Sequence, residues 1–298
     1  MSTMSPTTTG AGPGLRAMAG IEARRFARHP LFLLGAAATI VVTGLLQAND
    51  HDHVPADLLA WTVVPAFFCG LTSLVVAARL TRSTETAGEA LLTAPGSEAR
   101  RTLAVVLACS VPLAVGVLWM AEVLVITAVW PPASMEWWFG TMSGVQVVAI
   151  LVAGGPVACL GGALLGVLTG RWLRFPGAPA VVLLVVVVVV MVGHAPTETA
   201  HPELRLWLPW ISWQSGSDTD GTATLYKGNA VLALLYQLCL CAMAALGALW
   251  HDRESRTRGL VVGFVGVVVA AVAFLGLSMT TGTQDNRVSP VNPAQADH

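Results

Sequence analysis

Lysine is nearly missing from this chain: Lys227 stands alone against fifteen arginines in 298 residues. A P-loop needs a lysine directly after its glycine-rich turn. Lys227 is instead followed by Gly228 with no such turn before it, so the chain carries no P-loop nucleotide site of its own. A seven-span retinal protein needs a buried lysine for its Schiff base, and Lys227 falls outside the apolar runs. Charge of either sign is scarce, at 11% of residues with a formal net charge of −1, so bulk electrostatics point to no nucleic-acid partner. Cysteine is sparse too. Cys69, Cys109, Cys159, Cys239 and Cys241 all lie inside apolar runs, which excludes a secreted disulfide framework or a zinc cluster and leaves them as small packing residues. There is no HExxH, no GxSxG elbow and no aspartate inside an apolar run. His51, Asp52 and His53 are potential metal ligands, but neighbours in an extended loop rarely converge on one ion, so they read as a solvated loop. Catalytic residues and metal ligands are expected to be none.

What is abundant is apolar residues, at 55%. They gather in seven runs: 31–47, 58–78, 103–130, 145–168, 178–193, 230–250 and 260–279. A bilayer core takes about 20 apolar helical residues to cross. Lipid cannot satisfy backbone polar groups, so even the valines at 185–190 must be helical. The first run follows a long polar leader and precedes no small-x-small cleavage site, so it reads as a retained span. With the N-terminus inside, 13 of the 16 basic residues fall in inner segments; only Arg205, Lys227 and Arg287 fall outside. This alternation holds in every loop and predicts an N-in, C-out protein of the plasma membrane.

The loops carry their own patterns. Residues 1–14 are rich in Ser, Thr, Gly and Pro and read as a disordered tail, and 280–298 as a C-terminal tail. Residues 15–29 predict an interfacial amphipathic helix, with Leu15, Met18, Ile21 and Phe26 apolar and Arg16, Arg24, Arg25 and Arg28 polar; a simple positive anchor is the alternative. Pro30 opens the first span. In the loop 79–101, Thr86 and Glu89 have capping-box spacing, Leu91 and Leu92 offer an apolar pair, and Pro95-Gly96 is a stop. Ser97 then caps the third span, with Glu98 in its first turn. This predicts a short amphipathic helix between two spans, against a solvated connector. The long segment 194–229 holds Trp207, Trp210 and Trp213 at three-residue spacing, which suits a helix lying in the interface, with Pro209 allowing a bend.

Inside the spans, Glu122 is the ionisable residue, a functional candidate that could line a substrate path or pair with Gln146 or Gln237. Ala158, Gly162, Gly166 and Gly170 form a small-xxx-small face for close helix packing.

Two segments together carry a resemblance. IEARRFARHP, with Glu22, Arg24, Arg25, Arg28 and Pro30, resembles the start of the membrane (permease) subunits of type-2 ABC exporters. TRSTETAGEALLTAPGSEARRTLA resembles their first cytoplasmic loop, with Leu91, Leu92, Pro95, Arg100 and Arg101 at the matching places. The Trp-rich segment stands where that family has short re-entrant helices. The resemblance covers about residues 15–250, and the seventh run departs from the family's six-span core. It implies an all-α polytopic transmembrane helix bundle, a six-span exporter-like core plus a seventh span. It also implies a coupling helix that docks on an ABC ATPase subunit, a second permease copy or related permease, and ATP with Mg bound in the partner rather than in this chain. Glu85 and Glu89, one turn apart, would set the register of that docking. The chain would then be a transport subunit for an unidentified exported substrate and not itself an enzyme; the alternative is a non-transporting membrane protein serving as an assembly, sensor or immunity subunit.

The charge pattern places the C-terminus outside. A cysteine introduced at Gln295, in a background without the native cysteines, should react with an impermeant thiol reagent in intact cells. Labelling only after lysis would remove the last crossing.

Overall fold

The structure, a computed structural model, describes residues 13–49, 57–90, 97–131, 142–194, 202–215, 222–253, 256–282 and 287–290. Helix α1 (Pro13–Ala27) precedes α2 (Pro30–Asn49). The short α3 (Asp57–Ala60) and α4 (Val63–Pro65) lead through a π turn at Ala66–Gly70 into α5 (Leu71–Ala90). Next come α6 (Glu98–Ala108), α7 (Ser110–Val129) and α8 (Gly144–Val152), then a second π turn at Ala153–Val157, α9 (Ala158–Trp172) and α10 (Ala178–His194). A 3-10 turn at Pro202–Trp207 and strands β1 (Gln214–Ser215) and β2 (Thr222–Leu225) follow. Helices α11 (Ala230–Trp250) and α12 (Arg258–Thr280) and strand β3 (Arg287–Pro290) close the chain.

The fold is an all-α membrane bundle. Six helical stretches, Pro30–Ala48, Val63–Ser83, Glu98–Val129, Gly144–Trp172, Ala230–Trp250 and Arg258–Thr280, are long and apolar enough to cross a bilayer; Ala178–Gly193 is apolar but shorter. Proline explains the irregularities. Pro112 has no N–H to offer the Ala108 carbonyl, so the third span loosens there: the Cys109 N–H is shared between Val105 O at 3.2 Å and Val106 O at 3.1 Å. Pro156 sits inside the second π turn for the same reason.

The centre of the bundle is the contact of α5 with α9. Gly162, Gly166 and Gly170 meet, in order, the carbonyls of Gly70, Leu74 and Ala78. Both series step by four residues, so the two helices run parallel, backbone against backbone, over two turns. An added Cβ at Gly162 would lie 2.9 Å from Gly70 Cα, and one at Gly170 would lie 2.8 Å from Thr81 Cβ. The small-xxx-small face of the fourth apolar run thus has its partner, the second apolar run. In lipid, where apolar side chains gain little by meeting one another, such approach is a main source of helix association. A second close approach sets Gly116 of α7 against Gly155 and Pro156 of the π turn. The cysteines gather around these crossings: Cys69, Cys109, Cys159 and Cys241 are buried and all five are free. The Cys159 thiol reaches the Pro65 carbonyl at 3.8 Å, and the Cys241 thiol reaches that of Val157 at 3.9 Å.

The two ends of the bundle differ. One is basic, made by α1 and the ends of α5, α6, α9, α11 and α12. At the other, Leu59, Ile150, Leu206, Trp213 and Leu225 form a second apolar cluster. A small antiparallel sheet, ordered β1-β2-β3, lies there. Its β3 follows α12, and Thr222 pairs with Pro290. The Asn229 N–H donates to Ser278 O at 3.1 Å, and the Ser278 hydroxyl donates to Asn229 O at 2.9 Å. So α12 brings the chain back to the face that α11 leaves. Most of α12 is exposed along its length, as a lipid-facing outer helix is.

Three expectations need correction. First, no separate helix begins at Thr86: α5 continues unbroken to Ala90, so Thr86 and Glu89 are interior positions and the capping-box reading fails. Their types suit a helix interior well enough for an apolar span to run on. Second, in α1 the buried stripe contains Glu22 and Phe26, while Ile21 is 58% exposed. The Glu22 carboxylate takes the Arg25 guanidinium at 3.0 Å, which lets it turn inward. Third, the three tryptophans do not share a helix face. The 3-10 turn ends at Trp207, Pro209 interrupts it, and the Trp213 carbonyl accepts the Tyr226 N–H at 3.0 Å in extended chain.

Gly166→Ala sets a methyl group against the Leu74 carbonyl and must spread α5 from α9. It should destabilise the folded protein by about 1–3 kcal/mol, as core overpacking does. Gly263→Ala on α12, where an added Cβ meets nothing within 4 Å, should be neutral. Thermal unfolding in detergent compares them, and equal midpoints would refute the close-packing account.

Candidate functional site

Three polar or open regions interrupt the apolar bundle. The first ties the helices together at the basic end. Ser97 caps α6, its hydroxyl accepting the Arg100 N–H at 3.4 Å, and Glu98 occupies the first turn as its type predicts. Glu98 does more than favour the dipole. Its Oε1 accepts from Arg171 of α9 at 3.2 Å and lies 3.1 Å from His251 Nδ1 after α11. Asp252 accepts the Ala99 N–H at 3.3 Å. Arg171 is only 1% exposed, so its charge depends on such partners. Nearby, the Trp172 indole donates to Gly247 O at 2.9 Å. The Arg82 guanidinium donates to the carbonyls of Leu173 and Phe175, and Arg25 donates to the Ser83 hydroxyl at 2.9 Å. The Leu31 N–H at the start of α2 donates to His29 Nδ1 at 3.3 Å. Partial burial lowers the His29 imidazole below its ordinary value, and the nearby Arg79 guanidinium lowers it further. The imidazole is therefore neutral at pH 7 and free to accept.

The second region is a seam between α2 and α7. Thr39, Thr43 and Gln47 stand at four-residue spacing on α2 and are buried. The Thr39 and Thr43 hydroxyls donate back to Gly35 O and Thr39 O, each at 2.8 Å, and Thr43 Oγ1 accepts the Trp119 indole N–H at 2.9 Å. Glu122 lies one turn beyond Trp119. Its Oε1 sits 3.5 Å from where a Cβ on Gly44 would be, so the carboxyl faces α2. Its Oε2 and both polar atoms of Gln47 are buried with no hydrogen-bond partner among the described residues.

The third region is an apolar groove of about 780 Å³ between α9 and α11, walled by Leu165, Leu168, Leu240, Met243 and Ala244. At one end it meets Pro209, Trp210 and Gln237; at the other, Trp172 and Trp250. The Gln237 amide donates to Pro209 O at 3.1 Å, and the Tyr236 hydroxyl donates to Trp207 O at 2.8 Å. These two bonds hold the Trp-rich segment against α11. In the same segment Arg205 stacks 3.5 Å over the Tyr226 ring, and Lys227 pairs with Glu203 at 2.9 Å.

The expected site residues are thus dispersed. Among the described residues no hydrogen bond joins Glu122, Gln146 and Gln237: Glu122 faces α2, Gln146 starts α8 beside its Ser143 cap, and Gln237 faces the groove. Glu85 and Glu89 fall in the last turns of α5, and Arg100 and Arg101 in the first turns of α6. Leu91, Leu92 and Pro95 lie outside the described residues, as do His51, Asp52 and His53. The Glu98–Arg171–His251 cluster and the α2 seam were not anticipated. The seam has a sequence signal, since Thr39, Thr43 and Gln47 repeat every four residues; the cluster has none, because its members are far apart in the chain.

Glu98→Gln removes the carboxylate facing the buried Arg171. Breaking a fully buried pair costs about 3–5 kcal/mol, and the 39% exposure of the Glu98 side chain reduces the expected cost to about 1–3 kcal/mol. Adding Arg171→Met should recover part of it. A double-mutant cycle on unfolding midpoints, showing no coupling, would dismiss the cluster as a structural tie.

No family model matches the chain, and neither any curated protein nor any solved structure matches it.

Proposed function

We propose that the chain is the transmembrane subunit of an ABC-type exporter, working with a separate ATPase and a second permease half. The observation that carries this reading is mechanical. Helix α5 continues as helix past the basic residues Arg79 and Arg82 to Ala90, eight residues beyond Arg82 or about 12 Å at 1.5 Å per residue. The chain then returns at the Ser97 cap into α6, whose first turn is bound to the ends of α9 and α11 through Glu98 and Asp252. A force applied to residues 84–97 is therefore delivered to four spans together. That is the role of a coupling loop between an ATPase and a pathway. The parallel α5–α9 pair would move as one body, and the contacts around α2, α7 and α11 would repack in alternating access.

In this reading the basic end faces the cytoplasm of a plasma membrane, and each of the seven apolar helices crosses. Helix α10, at 17 residues and about 26 Å, is the shortest of them. The N-terminus is inside, and the sheet that holds β3 is outside. The resemblance of the two segments at residues 21–30 and 81–104 to type-2 exporter permeases supports the same assignment, as does the lack of a P-loop in this chain.

The test is co-purification from native membranes with identification of a P-loop ATPase, followed by ATPase assays over lipids, peptides and drugs. Changing Leu91 and Leu92 together to Ser should leave membrane insertion intact, since neither lies in a span. It should also abolish ATPase retention. Glu122→Gln should keep the ATPase but alter substrate-stimulated hydrolysis. A double-Ser variant that keeps both its ATPase and full coupling overturns the proposal; retention of no ATPase by the wild-type protein would instead favour the non-transporting reading.

A further inference from the structure

The apolar groove and the basic end meet at one residue. Trp172 lines the 780 Å³ groove, and it also lines a separate polar cavity of about 770 Å³ at the basic end. The polar cavity carries Arg174 from the α9–α10 connection and Arg253 and Arg256 from the α11–α12 connection. Its two carboxylates are engaged within the protein: Glu98 by Arg171 and His251, and Asp252 by the Ala99 N–H. None of the three arginines forms an ion pair with a described residue. Arg256 is positioned by its Nε, which donates to Trp250 O at 3.0 Å. The Trp172 indole N–H, bound to Gly247 O, holds the ring at the junction.

A long apolar slot divided only by one interfacial tryptophan from a cavity that bears three guanidinium groups matches one kind of molecule: an amphiphile with acyl chains and an anionic head. We propose that this is a binding site for an anionic phospholipid, with its phosphate among Arg174, Arg253 and Arg256 and an acyl chain along Leu165, Leu240 and Met243. Charge complementarity selects the head. Guanidinium groups take phosphate oxygens in paired hydrogen bonds, and basic residues at a membrane surface attract anionic headgroups. The slot selects the chain, because it is walled almost wholly by apolar side chains and stands within the depth of the spans. The site does not depend on the transport reading. It needs only the groove, the cavity and their common wall, and a bound lipid would staple α9 to α11 at the end where Glu98 and His251 already join them.

The experiment uses the full-length protein in neutral detergent. Phosphatidylglycerol and phosphatidylcholine with identical acyl chains are titrated while native mass spectrometry counts bound lipid and thermal unfolding is followed. Phosphatidylglycerol should bind in a defined stoichiometry and raise the midpoint; phosphatidylcholine should bind about tenfold more weakly or worse. Joint substitution R174Q, R253Q and R256Q should remove the preference between the two lipids. Ala244→Phe, which fills the slot away from the arginines, should weaken both. If the triple variant does not fold, the wild-type protein at high ionic strength makes the same test, because an exposed phosphate–arginine contact is screened while chain burial is not. Equal binding of the two lipids, or a preference that survives both the triple substitution and high salt, overturns the proposal. So does full stabilisation by inorganic phosphate alone, which would make the cavity a free-anion site.

Discussion

Everything in this bundle is referred to one contact, the backbone approach of α5 and α9. Three glycines of one helix rest on three carbonyls of the other, at the same four-residue step. Lipid offers no hydrophobic reward for bringing helices together, so association must come from packing and from weak polar contacts between backbones. Both depend steeply on distance, and only glycine allows the distance. The consequence is a rigid parallel pair at the centre. Helices α2, α7, α10 and α11 are then arranged around that pair, with Gly35 of α2 and Gly116 of α7 making close approaches of their own.

The ends of the helices are fixed by a different chemistry. At the basic end, Arg171 of α9 and His251 after α11 meet on the Glu98 carboxylate of α6, Arg82 binds the α9–α10 connection, and Arg25 of α1 binds Ser83 of α5. These bonds lie near water, where charge can be hydrated during folding and paired afterwards. At the opposite end the ties are backbone and aromatic: the three-stranded sheet, the Asn229–Ser278 pair and the Arg205–Tyr226 stack. Polar groups within the spans are few and local. Most of the buried hydroxyls bond back to their own helix, which leaves Thr43–Trp119 as a side-chain bond between two spans. Beside it, Glu122 and Gln47 are the conspicuous exceptions, buried polar groups with atoms that nothing described satisfies.

The central pair also borders an open space in the bundle. The groove between α9 and α11 follows one side of that pair. Its occupancy and the positions of α9 and α11 are therefore coupled by geometry. The Trp-rich segment closes the far end of the same groove through bonds from Tyr236 and Gln237.

The sequence by itself determined that the apolar runs are helices, because the bilayer allows an apolar run of that length only one conformation. It also determined the basic end, the Ser97 cap and the existence of a close-packing glycine face. The face was legible because its cause is local: small residues four apart on one helix. Its partner was not, since a glycine stripe says only that some backbone comes near. Tertiary structure alone decided that the partner is α5, that Glu22 rather than Ile21 turns inward, and that Glu98, Arg171 and His251 share one site. It also decided that α5 continues through Thr86, where helix propagation from a packed span outweighs a short local capping signal. The three tryptophans diverge for a like reason: their even spacing suggested a helix, but Pro209 and the pairing of Trp213 with Tyr226 set their backbone. Periodicity along the chain reports what a helix needs from its surroundings, and which surroundings answer is settled only when distant segments compete for the same surface.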